Sequence, residues 1–112
     1  MDNCIFCKII SGEIPSKKIY EDDRVYAFYD IEPAAPIHFL VIPKEHIDSA
    51  LEIDASNGDI VGHCFHIIAK IAKELQLDSY RVVNNCGLEA GQTVFHLHFH
   101  VLAGRSLAWP PG

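Results

Sequence analysis

The stretch Gln92-Thr93-Val94-Phe95-His96-Leu97-His98-Phe99-His100, "QTVFHLHFH", places three of the chain's seven histidines at every second position. Polar and apolar residues alternate from His96 to Val101, the period of a strand whose side chains point to opposite faces. The alternation predicts a strand over Val94 to Leu102. His96, His98, His100 and Leu102 share one face, and Leu97, Phe99 and Val101 share the other, toward the core. Residues two apart on a strand are separated by about 6.6 Å, so neighbouring imidazoles can reach one small ligand. A single histidine there reads as a polar residue on a solvated face. Three in alternation, beside the Gly91-Gln92-Thr93 loop, read as a site for nucleophilic or acid–base chemistry or for a metal, because imidazole titrates near neutrality.

Working outward, the segments Arg24 to Tyr29 ("RVYAFY"), His38 to Ile42 ("HFLVI", between Pro36 and Pro43) and Arg81 to Asn84 ("RVVN") read as further strands. Gly12 to Pro15 reads as a turn after a short N-terminal segment. From about Asn57, Ile60, Val61, Cys64, Phe65, Ile68, Ile71, Ala72 and Leu75 recur at three- and four-residue steps. That spacing predicts one long amphipathic helix, capped by Asp54 or Asn57 and weakened early by Gly58 and Gly62. His63 and His66 then fall on a solvated or dimer-contact face, and Cys64 in the core. Strands, a long helix and two more strands describe an α+β domain with an antiparallel sheet.

A chain of 112 residues, 49% hydrophobic, is the size of one domain. No internal repeat, low-complexity tract or linker-like run divides it. Nine Lys plus Arg stand against 15 Asp plus Glu, a net charge of -6, which argues against a nucleic-acid binder because such proteins present a basic stripe. No signal segment and no apolar run of about 20 residues is visible, so the expectation is a soluble, cytoplasmic protein with no membrane partner. In a reducing compartment, Cys4, Cys7, Cys64 and Cys86 read as metal ligands or free thiols rather than disulfides. Cys4 and Cys7, in "CIFC", have the spacing of half a tetrahedral zinc site; a free thiol pair or a redox motif competes with that reading.

The blocks "CIFCKIISGEIP", "YEDDRVYAFYDIEPAAPIHFLVIPKEHI", "RVVNNCG", the alternating histidines and the terminal "WPPG" together resemble the histidine-triad (HIT) nucleotide-binding superfamily, Hint branch, across nearly the whole chain. The resemblance implies a single HIT domain over 1–112. Its sheet has about five antiparallel strands with one long helix and a shorter one, in a homodimer joined into a continuous sheet. It implies that His98 attacks the α-phosphorus of a purine nucleoside monophosphate ester, anhydride or phosphoramidate, with His100 and His38 assisting. Asn85, with Asn84 as the competing assignment, would contact the ribose or phosphate, and the Gly91, Gln92 and Thr93 loop the phosphate. Asp30 would accept the ribose hydroxyls, with Phe6, Ile14, Phe28 and Ile31 around the base. His46 and His96 match positions that complete a zinc site with Cys4 and Cys7, which would make the metal structural.

The function implied is hydrolysis of purine nucleoside 5′-phosphoramidates at the P–N bond. A dinucleoside polyphosphate hydrolase and a non-catalytic nucleotide- or zinc-binding module are the alternatives. Nucleotidyl transfer to a sugar phosphate is disfavoured by His100, where that branch carries glutamine.

Overall fold

The computed structural model describes residues 3–112. Its elements are α1 (Ile5–Ile10), β1 (Lys18–Glu21), β2 (Val25–Tyr29), β3 (Ile37–Pro43), α2 (Asp59–Glu74), β4 (Arg81–Val83) and β5 (Phe99–Ala103), with a short 3-10 turn at Ala50–Glu52 before α2. The five strands form one antiparallel sheet in the order β1-β2-β3-β5-β4. This is the α+β architecture expected, with one long helix and one short one. No helix among the described residues is long and apolar enough to cross a membrane.

Register assigns each face. Val41 pairs with Ala27 and with Phe99, and Phe39 with Val101, so these side chains project to one side of the sheet. There they meet α2 through Ile60, Cys64, Ile67, Ile68 and Ile71. Four buried isoleucines, at about 1.5–3 kcal/mol each, outweigh the roughly 1 kcal/mol that Gly62 costs inside a helix. Ile67 belongs to this face although the apolar stripe reads without it, and Phe65 stays half exposed against the edge of Phe99, ring centroids 5.4 Å apart. On the opposite side, Tyr26, Phe28, Leu40 and Ile42 pack beneath Phe6 and Ile9 of α1. Leu40 pairs with His100, so the histidines lie on the α1 side.

Two local expectations are corrected. Asp54 and Asn57 do not cap α2: the N-cap position is Gly58, with no side-chain bond. Asn57 Oδ1 instead accepts from Asp54 N at 2.8 Å, and Asp54 Oδ1 accepts from Ser56 N at 2.8 Å, which closes the preceding turn on itself.

The last strand begins at Phe99, not Val94. Its ladder partners end with Val41 opposite Phe99 and Val83 opposite His100, so residues 94–98 lie outside both ladders. Leu97 N donates to the Ile47 carbonyl at 2.6 Å instead, and residues 94–96 bend. Of the three alternating histidines only His100 is a strand residue, and none is solvated as a free polar face would be: His96 and His98 are 0% and 5% exposed.

His63 serves the fold. Its Nε2 contacts Asp22 Oδ2 at 2.7 Å and ties the turn between β1 and β2 to α2. Burial alone would raise the Asp22 carboxyl, but the N–H groups of Arg24 and Val25, His63 and the Tyr20 hydroxyl outweigh it and hold the group well below the usual carboxylate range.

Candidate active site and metal-ligand cluster

The bend before β5 divides the histidines between two clusters. The first joins α1 to the bend. Cys4 stands at the N-cap of α1, where its Sγ accepts from Cys7 N at 3.3 Å, and Cys7 lies one turn on. His96 Nδ1 is 3.3 Å from Cys4 Sγ and 3.6 Å from Cys7 Sγ, and His46 Nδ1 is 3.5 Å from Cys7 Sγ. All four ligand atoms lie within 4.8 Å of one another. A tetrahedral ion with bonds of about 2.0–2.3 Å separates its ligand atoms by roughly 3.5 Å, so these spacings fit one.

The remaining ring nitrogens are committed in the required sense. His96 Nε2–H donates to the Pro43 carbonyl at 2.8 Å, and His46 Nε2–H donates to Asp48 Oδ1 at 2.6 Å. Each bond fixes the tautomer that leaves an Nδ1 lone pair facing the sulfurs. Burial lowers His96 to about 4 and keeps it neutral. Burial and the neighbouring Cys4 push the Cys7 thiol up to about 11, a crowding that a bound cation reverses by taking the thiolate. These four residues could hold a metal ion.

The second cluster is a chain of imidazoles. Ala34 N donates to His38 Nδ1 at 3.0 Å. A neutral His38 must then carry its proton on Nε2, which lies 2.9 Å from His100 Nδ1 with Asp30 Oδ2 at 3.4 Å. His100 Nδ1 is thus an acceptor, and its free Nε2 carries the hydrogen. One backbone N–H sets the proton positions of two side chains.

His98 is fixed independently: its Nδ1–H donates to the His96 carbonyl at 2.7 Å, leaving the Nε2 lone pair unshared. Its ring lies 4.9 Å from that of His100 and 5.0 Å from Phe6, edge to face at 89°. Burial lowers the pKa of His38, His98 and His100, His100 to about 4. At neutral pH the site therefore presents an uncharged imidazole lone pair beside an N–H donor. That pairing suits two-step displacement at an electrophilic phosphorus or carbon.

Asp30, His38 and His100 also converge closely enough to suggest a second metal cluster. The tautomer argues against it. With Nδ1 accepting from Ala34, His38 keeps its hydrogen on Nε2 and has no lone pair to give.

A sequence profile of the HIT domain matches residues 11–107. The chain belongs to the HIT domain family. It is 50% identical over 112 residues to an uncharacterized HIT-like protein of Synechococcus elongatus, covering 99% of this chain and 98% of that one. Among solved structures it is similar to a HIT family hydrolase from Legionella pneumophila, with TM-score 0.95, 41% identity and coverage of 98% and 100%. It also resembles a histidine triad nucleotide-binding protein from Candida albicans, with TM-score 0.83, 38% identity and coverage of 96% and 83%.

In this HIT domain the other residues singled out by sequence are distributed unevenly. Phe6 and Phe28 are buried, their rings 5.6 Å apart, with Ile14 packed against them; they form a floor under the histidines rather than an open wall. Ile31 stands 90% exposed, so within one chain it encloses nothing. Asp30 Oδ1 accepts from Glu32 N at 2.8 Å, which shapes the loop ahead of β3. Asn84 donates Nδ2 to the His98 carbonyl at 2.9 Å, and the Asn85 amide lies against Gly91.

Gly91 has φ 99°, a conformation that favours glycine, and this turns the loop toward Asn85. The Gln92 side chain is fully engaged: Oε1 accepts from Gly87 N at 2.9 Å, and Nε2 donates to the carbonyls of Asp48 and Val94 at 2.8 and 3.1 Å. Expected as a ligand contact, it is a buried brace, and only its backbone remains available. Thr93, with Cys4, His46 and Phe95, borders a cavity of about 520 Å³. Sequence reasoning passed over Asp48 and Ala34. The acid two residues after His46 was a usable signal; a backbone N–H offers none.

Proposed function

We propose that this HIT protein hydrolyses purine nucleoside 5′-phosphoramidates. The observation supporting this most directly is the pair of fixed tautomers, a free Nε2 lone pair on His98 next to a hydrogen-bearing Nε2 on His100. His98 Nε2 attacks the α-phosphorus and the P–N bond breaks. The departing amine takes its proton from His100 Nε2–H, and the negative charge this leaves on the His100 ring is held by the His38 Nε2–H bond to its Nδ1 until water returns the proton. The positive charge on the nucleotidylated imidazole is eased by the Nδ1–H bond to the His96 carbonyl. Water then attacks phosphorus, gives its proton to His100 and releases the nucleoside monophosphate and neutral His98. His38 holds His100 in the donating tautomer throughout.

In this reading Asp30 receives the ribose hydroxyls, and Asn85 with the backbone of Gly91, Gln92 and Thr93 receives the phosphate oxygens. The base lies over the floor of Phe6, Ile14 and Phe28, with Ile31 at its edge. Cys4, Cys7, His46 and His96 would hold zinc, which with four protein ligands supplies structural closure and no open position for water. The assembly is a homodimer of single HIT domains.

The test is release of AMP from adenosine 5′-phosphoramidate by the wild type and by a folded His98→Ala variant. A loss of roughly 10³-fold or more, the scale of removing a nucleophile, is expected. Equal rates in the two proteins would remove His98 from the mechanism.

A further inference from the structure

Only three arginines occur in this acidic chain, Arg24, Arg81 and Arg105, and two of them border one cavity. Arg81 and Arg105, with Ser79, Tyr80, Ser106 and Leu107, enclose about 290 Å³ beside the start of β4. Arg24 is paired with Asp59 at 2.8 Å. Arg81 and Arg105 have no carboxylate partner among the described residues. A cavity with two unneutralised guanidiniums and three hydroxyl groups has the chemistry of an oxyanion site.

Register connects it to the histidines. Leu102 pairs with Arg81 on one side and with His38 on the other, so Arg81 projects from the histidine face of the sheet. His100 is its diagonal neighbour across β4 and β5, a relationship of about 7–8 Å that long side chains bridge. Arg105 approaches by a second route, donating to the Ala34 carbonyl at 2.9 Å, and the N–H of Ala34 is the donor to His38. The Arg81 guanidinium lies 5.9 Å from the centroid of the Trp109 ring. An aromatic ring engages the flat face of a guanidinium and leaves its N–H edge free to donate.

We propose that Arg81 and Arg105 form an oxyanion subsite for a carboxylate or phosphate carried on the leaving group of the nucleotidyl substrate. The inference rests on the proposed reaction, in which the amine departs beside His100 and hence toward Arg81. It narrows the substrate class from any phosphoramidate to those whose amine bears a nearby negative charge.

The test compares kcat/KM for three N-substituted adenosine 5′-phosphoramidates: 2-carboxyethyl, 2-phosphonoethyl and the neutral propyl. The wild type is expected to prefer an anionic substrate by about tenfold or more, the scale of one charge-assisted hydrogen bond. Arg81→Gln and Arg105→Gln should each reduce that ratio toward one, and Arg81→Lys should restore part of it. Which anionic arm is preferred distinguishes carboxylate from phosphate. No preference in the wild type, or a preference that survives both glutamine variants, overturns the subsite.

If none of the three substrates turns over, the reaction fails and the subsite is decided by binding. In protein saturated with AMP, inorganic phosphate should shift the amide resonances of Tyr80, Arg81 and Ser106 in the wild type and not in Arg81→Gln. Unmoved wild-type resonances at those positions would sink it.

Discussion

Asn84 donates its side-chain amide to the main-chain carbonyl of His98 at 2.9 Å, one residue beyond the last β4–β5 pair, Val83 with His100. A side chain takes the place of the ladder bond that β4 no longer supplies. The carbonyl of His96 holds the His98 ring at the same time, so ring and backbone are anchored separately.

Asn84→Ala leaves a part-buried carbonyl without its donor, a change costing about 1–3 kcal/mol. Its larger effect should be on geometry at His98, lowering kcat about tenfold with KM little changed, since small misplacements of a nucleophile are costly. Asn84→Asp should not rescue, because a carboxylate cannot donate. Steady-state kinetics on adenosine 5′-phosphoramidate with a melting curve for each variant checks this; an unchanged kcat in Asn84→Ala would reduce the residue to a purely structural role.

In the proposed reaction His38 acts through His100, whose Nδ1 it contacts at 2.9 Å, so their losses should not add. His100→Ala should lower turnover of a phosphoramidate by about 10²–10⁴-fold, the usual range for a general acid, and much less for a nucleotide ester whose leaving group needs no proton. His38→Ala should show the same leaving-group dependence at smaller size, and the double variant should resemble His100→Ala. Additive losses in the double variant would separate the two residues.

The core face was legible in sequence because alternation and helical spacing report burial directly: Leu97, Phe99 and Val101 fall where the pattern put them, and Cys64 lies at 0% exposure. The bend at 94–96 was not, since His96 to Val101 keeps a strand's period while the ladders to β3 and β4 stop at Phe99 and His100. β1 and α1, at four and six residues, are too short for periodicity to distinguish from loop. The convergence of Cys4 and Cys7 with His96 depends on contacts about 90 residues apart in the chain. Local pattern holds no such information, and family likeness alone brought His46 and His96 to the cysteines. Gln92 shows what a recognised loop leaves unsaid: the residue is expected near a ligand, and its side chain braces that loop from within.

Metal analysis of the purified protein should find about one zinc per chain. Cys7→Ser removes one of four ligands from a site that ties α1 to the bend, so it should lose most of the metal. Its melting temperature should fall by about 5 °C or more, because roughly 1 kcal/mol moves Tm by 4–8 °C in a small domain. A wild type free of metal and insensitive to chelator, with Cys7→Ser melting alongside it, would leave the cluster as four packed side chains.

Acid should destabilise the fold through the histidine face. Burial, with His98 and His38 alongside, lowers His100 from 6.5 to about 4, and burial lowers His38 as well. Below pH 6.5 the unfolded chain takes up protons at these positions that the folded chain refuses. Stability is therefore complete above that pH and declines as pH falls toward 4. Melting temperatures from pH 7.5 to 4.5 at constant ionic strength should fall in the wild type and fall less steeply in His100→Asn, which has no proton to gain. Parallel slopes in the two proteins would place the acid sensitivity elsewhere, in His96 and His98, which burial also lowers, or in the carboxylates that pair with His63, Arg24 and Lys44.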